Sequence, residues 1–109
     1  MSTVPERIEN VTALCKANVY FDGKVVSHTI LSGQQKRTLG LIYPGSYTFN
    51  TDAPERMDII AGGTRVRLVG EKEWKTFAAG TFFRVPGNSS FEIAVDSGIA
   101  EYLCSFEAS

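Results

Sequence analysis

The sequence has little of what several classes of protein require. It contains one histidine, His28, and two cysteines, Cys15 and Cys104. One histidine cannot build a histidine-rich metal site, and two distant cysteines do not make a disulfide scaffold, so we expect two free, buried thiols. The 11 basic residues are matched by 12 acidic ones and form no basic run. This balance argues against the electrostatic footprint of a nucleic-acid-binding protein.

Long apolar segments are missing as well. No apolar run approaches the roughly 18 residues of a membrane-spanning helix, and the N-terminus does not have the charged-then-apolar order of a secretory signal. We therefore expect a soluble, cytoplasmic protein without a membrane partner. The 109 residues fit one domain, which is long enough to bury about two-thirds of the surface that the unfolded chain exposes.

Short β-strand patterns separated by turn residues fill most of the chain. Asp22-Gly23 between the strand-like runs 19–21 and 24–26 predicts a hairpin with a type I′ turn. Residues 64–69 alternate arginine with apolar side chains, which indicates a strand with one solvated face. Gly62-Gly63 is suited to a tight turn between antiparallel strands. Further strands are predicted at 28–31, 38–43, 47–51, 57–61, 74–77, 81–85, 90–95 and 99–106. Together these patterns predict an all-β barrel or sandwich.

The N-terminal segment allows two interpretations. Thr3 and Glu6 resemble a capping box, and apolar residues between positions 4 and 15 have helical spacing. Residues 10–14 can equally form a strand. We therefore expect an N-terminal extension at 1–17, with a short helix or an extra strand, and a β domain at 18–109.

Residues 44–62 are the predicted wall of a binding cavity. The segment begins with a turn, continues as a strand and carries Glu55 beside the start of the next strand, near several hydroxyl groups. Because side chains alternate along a strand, the strand has two sets of candidate residues. On one face these are Tyr47, Phe49 and Thr51, and on the other Thr48 and Asn50.

Two motifs resemble those of cupins. Glu55 and Gly62 keep the interval between the glutamate and the closing glycine of the first cupin motif. Gly80, five residues and then Pro86-Gly87 are similar to the second motif, although the family normally has one residue between the proline and the glycine. The resemblance implies a single cupin-type, jelly-roll-like β-barrel.

The metal-binding histidines of cupins are not found in this sequence. Thr48 and Asn50, or Phe49 and Thr51 under a shorter spacing, occupy two of the histidine positions, and Phe91 occupies the third. We therefore expect no metal at this site, because these side chains are poor ligands for transition metals.

A larger set of residues resembles one group of small single-domain cupins. The set comprises Asn18-Val19-Tyr20-Phe21, Gly23-Lys24-Val25, Gly45, Tyr47-Thr48-Phe49, Thr51, Pro54-Glu55, Met57, Gly80, Phe83, Val85-Pro86, Ser90-Phe91 and Tyr102-Leu103-Cys104. Over positions 18–106 the chain is similar to the pyrimidine/purine nucleoside phosphorylases. The resemblance implies a pentosyltransferase that uses inorganic phosphate to cleave purine and pyrimidine nucleosides into free base and ribose 1-phosphate, without a cofactor. It also implies a homodimer, since small barrels of this family commonly associate.

Under this resemblance Glu55 is the candidate catalytic residue. A carboxylate there would bind the ribose hydroxyls or stabilise the oxocarbenium-like state that forms as the glycosidic bond breaks. The candidate substrate-binding residues offer stacking surfaces, hydrogen-bonding groups or, for Arg84, a charge for phosphate. They are Tyr47, Thr48, Phe49, Asn50, Thr51, Arg84 and Phe91. Each can alternatively be an ordinary core or strand residue.

Two other functions fit the same cavity. One is a non-catalytic cupin that binds a small molecule, and the other is a metal-independent sugar isomerase or epimerase. Release of base from a nucleoside that depends on phosphate distinguishes phosphorolysis from both.

Overall fold

A computed structural model describes residues 4–107 of the chain. Within that range the backbone forms eleven strands and one short 3-10 turn. The strands are β1 (Thr12–Ala13), β2 (Asn18–Tyr20), β3 (Val25–Ser32), β4 (Gln35–Ile42), β5 (Gly45–Thr51), β6 (Glu55–Ala61), β7 (Gly63–Leu68), β8 (Lys75–Ala78), β9 (Phe82–Val85), β10 (Ser89–Val95) and β11 (Ala100–Phe106). None of the helical turns in residues 4–107 is long and apolar enough to cross a membrane.

The strands form two antiparallel sheets around one core. The larger sheet has the order β1-β3-β4-β11-β6-β9, with β2 also paired to β3, and the smaller sheet has the order β5-β10-β7-β8. Buried side chains of both sheets, among them Ile42, Ile59, Val66 and Ile93, pack into a single cluster. The prediction of an all-β, jelly-roll-like domain is therefore confirmed.

The N-terminal segment forms a strand. Thr12 and Ala13 pair with Leu31 and Ile30 of β3, and the Leu14 amide donates a hydrogen bond of 2.9 Å to the Thr29 carbonyl. The alternative of an extra strand is thus confirmed. The prediction of a helix is wrong for residues 4–17. Pairing with β3 satisfies backbone groups that would otherwise be unpaired at the edge of the sheet. Thr3, the first residue of the predicted capping box, lies outside the described residues.

The Asp22-Gly23 hairpin is confirmed. Asp22 has φ 56° and ψ 36° and Gly23 has φ 88°, so both central residues have the positive φ that a type I′ turn requires. The Lys24 amide closes the turn with a 3.1 Å hydrogen bond to the Phe21 carbonyl. The ladder ends one residue earlier than predicted, because Phe21 itself has φ 53° and leaves the extended conformation.

Gly62-Gly63 does not join two paired strands, so that prediction is wrong. The dipeptide carries the chain from β6 in the larger sheet to β7 in the smaller one. A Cβ atom at Gly62, which has φ 76°, would lie 2.5 Å from the carbonyl oxygen of Ile99. The glycine is therefore required where the chain changes sheets, by its φ angle and by close backbone approach.

The outer face of the smaller sheet is charged, as the alternation in 64–69 predicts. Arg65 and Arg67 form ion pairs of 2.8 Å with Asp96 and Glu92, respectively. Both guanidinium groups also lie over the Trp74 ring, at 5.2 and 4.6 Å from its centroid. These two arginines therefore belong to a solvated strand face.

Both cysteines are free thiols, as predicted. Cys104 is buried in β11. The prediction that Cys15 is also buried is wrong, because it follows β1 at the edge of the larger sheet and its side chain is exposed.

Candidate active site

A cavity of about 470 Å³ lies between the two sheets. It takes one wall from the smaller sheet and the opposite wall from the inner face of the larger sheet, and the β5–β6 connection forms part of its rim. Its lining residues are Tyr20, Ser27, Lys36, Thr38, Ile42, Phe49, Asn50, Asp52, Ala53, Glu55, Met57, Phe91, Tyr102, Cys104 and Phe106. The cavity thus combines aromatic rings, hydroxyl groups, two carboxylates and one lysine.

Two stacked phenylalanines form the wall of the smaller sheet. Phe49 of β5 and Phe91 of β10 are register partners, and their rings lie 5.5 Å apart between centroids with an interplanar angle of 18°. Phe21 packs against Phe49 in a T-shaped arrangement at 5.3 Å between centroids, and Phe83 packs against Phe91 in the same way at 5.7 Å. This packing holds a flat apolar surface in place, which suits stacking against an aromatic ligand.

Glu55 is the first residue of β6 and is half-buried in the cavity wall. The Cys104 thiol donates a hydrogen bond of 3.4 Å to its Oε1 atom. Burial raises the pKa of Glu55 above its usual value, the Cys104 hydrogen bond lowers it in part, and the nearby charge of Asp52 raises it further. Glu55 is therefore a partly desolvated acid held by a neighbour, rather than a solvated turn residue.

The Cys104 thiol serves as a hydrogen-bond donor in this site. Burial raises its pKa strongly, and the negative charge of Glu55 raises it further. A thiol with a raised pKa stays protonated at neutral pH and is a poor nucleophile. The geometry therefore assigns Cys104 to the positioning of the Glu55 carboxyl group.

Tyr102 lies on the inner face of the larger sheet, opposite the phenylalanines. Burial raises its pKa to about 12, although hydrogen bonds from Ser27 and Thr38 act in the opposite direction. Gly40, its register partner in β4, leaves room for the ring, because a Cβ there would lie 2.8 Å from the Tyr102 Cε1 atom. The site thus contains a neutral tyrosine among threonine and serine hydroxyls.

Lys36 is the only cationic side chain among the described residues that line this cavity. Its Nζ atom lies 5.4 Å from the centroid of the Phe106 ring. Phe106 is in turn the register partner of Glu55 in β6. The cavity rim therefore has a basic side at β4 and an acidic side at β6, with an aromatic ring between them.

Four of the predicted site residues line the cavity together. They are Phe49, Asn50, Glu55 and Phe91, which come from three different strands. The sequence motifs therefore lead to the two features that define the site, its aromatic wall and its acid.

The other four predicted residues lie away from the cavity. The Tyr47 hydroxyl donates to the carbonyls of Tyr43 and Pro44 at 2.7 and 3.0 Å, and Thr51 is buried with a 2.7 Å bond to the Pro86 carbonyl. Thr48 is exposed on the outer face of the smaller sheet. Arg84 is exposed on the outer face of the larger sheet, with its Nε atom 3.3 Å from Glu107. The first two thus stabilise turns and loops, and the last two face solvent.

Several cavity residues did not stand out in the sequence. In the sequence, Lys36 is one of two neighbouring basic residues, Lys36 and Arg37, near the start of a predicted strand. The sequence does not indicate which of the two side chains points into the cavity. Tyr102, Cys104 and Phe106 alternate along β11, and that period of two is the signal that could have grouped them on one face.

Residues 4–107 contain no cluster of three or more histidine, cysteine, aspartate or glutamate side chains that could hold a metal ion. The single histidine, His28, is exposed, and its Nδ1 atom lies 3.2 Å from the Leu14 carbonyl oxygen. The donor set of the cavity therefore suits an organic ligand better than a transition metal.

Comparison with known proteins agrees with this architecture. The family model for pyrimidine/purine nucleoside phosphorylase matches residues 15–106. A protein of that name from Dechloromonas aromatica is 57% identical over 99 residues, which cover 90% of this chain and 95% of the relative. A protein of the same name from Thiobacillus denitrificans is 52% identical over 101 residues, which cover 92% of this chain and 97% of the relative.

Solved structures show the same fold. The crystal structure of a protein of unknown function from Acinetobacter sp. ADP1 has a TM-score of 0.89 at 43% identity, covering 93% of this chain and 98% of that one. More distant neighbours include the cupin-fold protein EutQ of Clostridium difficile, at 12% identity and a TM-score of 0.65. The match covers 77% of this chain and 68% of EutQ. The cupin-type fold is therefore confirmed, and the chain belongs to the pyrimidine/purine nucleoside phosphorylase family.

Proposed function

We propose that this protein transfers the ribosyl group of a nucleoside to inorganic phosphate, which yields free base and ribose 1-phosphate. The observation that carries the proposal is the composition of the cavity. It joins a stacked aromatic wall to a desolvated acid and a lysine, in a chain that belongs to this family.

The aromatic wall is the proposed base site. Phe49, which is partly exposed and backed by the buried Phe91, offers an aromatic surface against which a nucleobase stacks, and Asn50 lies next to it in the cavity lining. Stacking depends on the flat face shared by all bases and tolerates differences between them. This wall therefore supports a broad specificity for purine and pyrimidine nucleosides.

Lys36 is the proposed phosphate ligand. Phosphate requires cationic or N–H donors, and Lys36 supplies the positive charge within the cavity, whereas Arg84 points to the outer face of the sheet. A phosphate held near the lysine would approach the sugar from the side opposite the departing base. Positioning of the two substrates would then supply a large part of the rate enhancement.

Glu55 is the proposed catalytic residue. As the bond between the anomeric carbon and the base nitrogen breaks, the sugar gains positive charge, and a phosphate oxygen forms the new bond to that carbon. A nearby carboxylate stabilises this charge, and it does so more strongly where water is partly excluded. The Cys104 hydrogen bond holds the carboxylate in position and partly offsets the effect of burial on its pKa.

Phosphate dependence is the test of the reaction. Incubation with uridine or adenosine should release base only when phosphate, or arsenate as its substitute, is present. With phosphate, ribose 1-phosphate should accumulate in an amount equal to the base, as measured by chromatography of a time course. Base release without phosphate would show a hydrolase instead, and no release from several nucleosides would return the protein to the class of binding cupins or sugar isomerases.

We also propose that the outer face of the larger sheet pairs two copies of the chain. An apolar groove of about 450 Å³ crosses β3 and β4 there, and residues 5–8 and 11 of the N-terminal extension form its border. Leu39 is 43% exposed in this groove. A second copy is the occupant that we propose, because an isologous dimer lets one apolar patch cover its own equivalent and gives the commonest closed assembly.

Light scattering after size exclusion is the test of this assembly. The protein should have twice its chain mass, and Leu39→Glu should shift it towards the monomer, because a charge buried in an apolar contact is costly. Val69→Glu is the matched control, since Val69 is also exposed but follows β7 in the other sheet. A monomeric wild type, or equal masses for the two variants, would contradict the proposal.

A further inference from the structure

Three arginines lie in one row across the outer face of the larger sheet. Arg37 of β4 is the register partner of Ser105 in β11, Ser105 is also the partner of Arg56 in β6, and Arg56 is the partner of Arg84 in β9. Four neighbouring strands thus contribute Arg, Ser, Arg and Arg at the same level. Like charges on adjacent strands destabilise a sheet, so this row requires negative charge nearby.

Within residues 4–107, acids form ion pairs with two of the three arginines. Asp58, which is 3% exposed, lies 3.0 Å from the Arg56 guanidinium group, and Arg56 also stacks at 3.9 Å on the Phe82 ring. Glu107 lies 3.3 Å from the Nε atom of Arg84. These contacts hold two guanidinium groups in place and, among the described residues, leave an excess of one positive charge in the row.

Arg37 carries that excess charge. Its Nε atom is buried, and it has no hydrogen-bond partner among residues 4–107. Buried polar groups in folded proteins nearly always have a partner, and an unpaired donor that carries charge is the most costly kind. The protein encloses Nε, so a ligand in the groove would meet Arg37 through the part of its guanidinium group that lines the groove.

The space beside Arg37 fits a small oxyanion. A groove of about 550 Å³ contains all three arginines, Asp58, Glu107 and Ser105. Arg37 and Arg56 are separated by one strand, hence by about 9.6 Å between their backbones, or twice the usual strand spacing. The short Ser105 side chain leaves the space between them open and adds a hydroxyl donor, while the guanidinium groups offer forked pairs of donors.

We propose that this arginine groove binds a phosphate group, either as inorganic phosphate or as part of a small phosphomonoester such as a nucleotide. The site is separate from the proposed catalytic cavity, because neighbouring residues on a strand point to opposite faces: Lys36 enters the cavity, and Arg37 enters the groove. Phe106 borders both. A phosphate bound in the groove is therefore not the one that attacks the nucleoside.

Nuclear magnetic resonance of the ¹⁵N-labelled protein tests this site directly. The Arg37 Nε–H and Ser105 amide signals should shift and saturate when inorganic phosphate or adenosine monophosphate is added, and should stay in place with adenosine. If phosphate is effective at the lower concentration, the ligand is the free ion. If adenosine monophosphate is effective at the lower concentration, the ligand is the phosphomonoester.

Matched variants separate the groove from the cavity. Arg37→Gln should abolish the saturable shift of Ser105 and leave turnover within twofold of the wild type. Lys36→Gln should impair turnover and leave that shift unchanged. Arg65→Gln, which removes an arginine from the outer face of the other sheet, should alter neither. The proposal for the groove and the proposal for the reaction can thus be contradicted independently of each other.

Two results would overturn the arginine groove. One is the lack of any saturable shift of the Arg37 signal with either phosphate compound. The other is a change of assembly mass in Arg37→Gln without a phosphate-dependent shift in the wild type, which would assign Arg37 to contact between subunits.

Discussion

Replacement of Glu55 by glutamine should lower turnover by more than about tenfold, a loss of about 1.4 kcal/mol or more of transition-state stabilisation. The change removes the negative charge that we propose stabilises the sugar in the transition state, and it keeps the shape of the side chain. The measurement is steady-state phosphorolysis of uridine. Normal turnover in this variant would remove Glu55 from the reaction.

The thermal stability of Glu55→Gln should be unchanged or higher at neutral pH. Because burial raises the pKa of Glu55 above 4.5, the stability associated with its proton is fully present below that value and is lost as the pH rises through the folded-state pKa. Glutamine resembles the protonated form and so does not undergo this loss. Unfolding followed by circular dichroism checks this, and a large fall in the melting temperature would assign Glu55 to the fold.

The same carboxyl group should set the acid limb of the pH–rate profile. Activity should increase with pH as Glu55 ionises, with a midpoint above the usual pKa of 4.5. The Cys104 hydrogen bond lowers the pKa of Glu55, so Cys104→Ala should move the acid limb to higher pH. Cys104→Ser, which keeps a donor, is the control and should move it less.

Replacement of Lys36 by glutamine should raise the KM for phosphate by about tenfold to a hundredfold, since a hydrogen bond to a charged group contributes about 1.5–3 kcal/mol. The KM for the nucleoside should change little, because the proposed base site is formed by Phe49 and Phe91. Initial rates with each substrate varied in turn separate the two constants.

Arg84→Gln is the decisive comparison for the phosphate ligand. Arg84 was the basic residue that the sequence favoured, but its side chain lies on the outer face of the larger sheet, next to Glu107. The KM for phosphate should therefore be unaffected in this variant. An increase in Arg84→Gln together with a normal value in Lys36→Gln would reverse the assignment.

The sequence alone predicted the structural features that depend on residues close to one another in the chain. Asp22-Gly23 forms its turn because both residues tolerate positive φ. The alternation around Arg65 and Arg67 identified a solvated face because the period of a strand is two. Glu55, Phe49 and Phe91 belong to the cavity wall, and the motifs that they share with the family were enough to select them.

The tertiary structure decided what depends on partners distant in sequence. The conformation of Gly62-Gly63 depends on the residues that lead into β11. The chain changes sheets at these glycines, and Gly62 lies close to the backbone of Ile99 there. The hydroxyls of Tyr47 and Thr51 hydrogen-bond to backbone carbonyls and are buried away from the cavity. The inward face of β4 depends on its register with β11, and a shift of one residue would exchange Lys36 for Arg37. Sequence therefore identifies candidate residues, whereas the pairing of strands decides which side chains share the cavity.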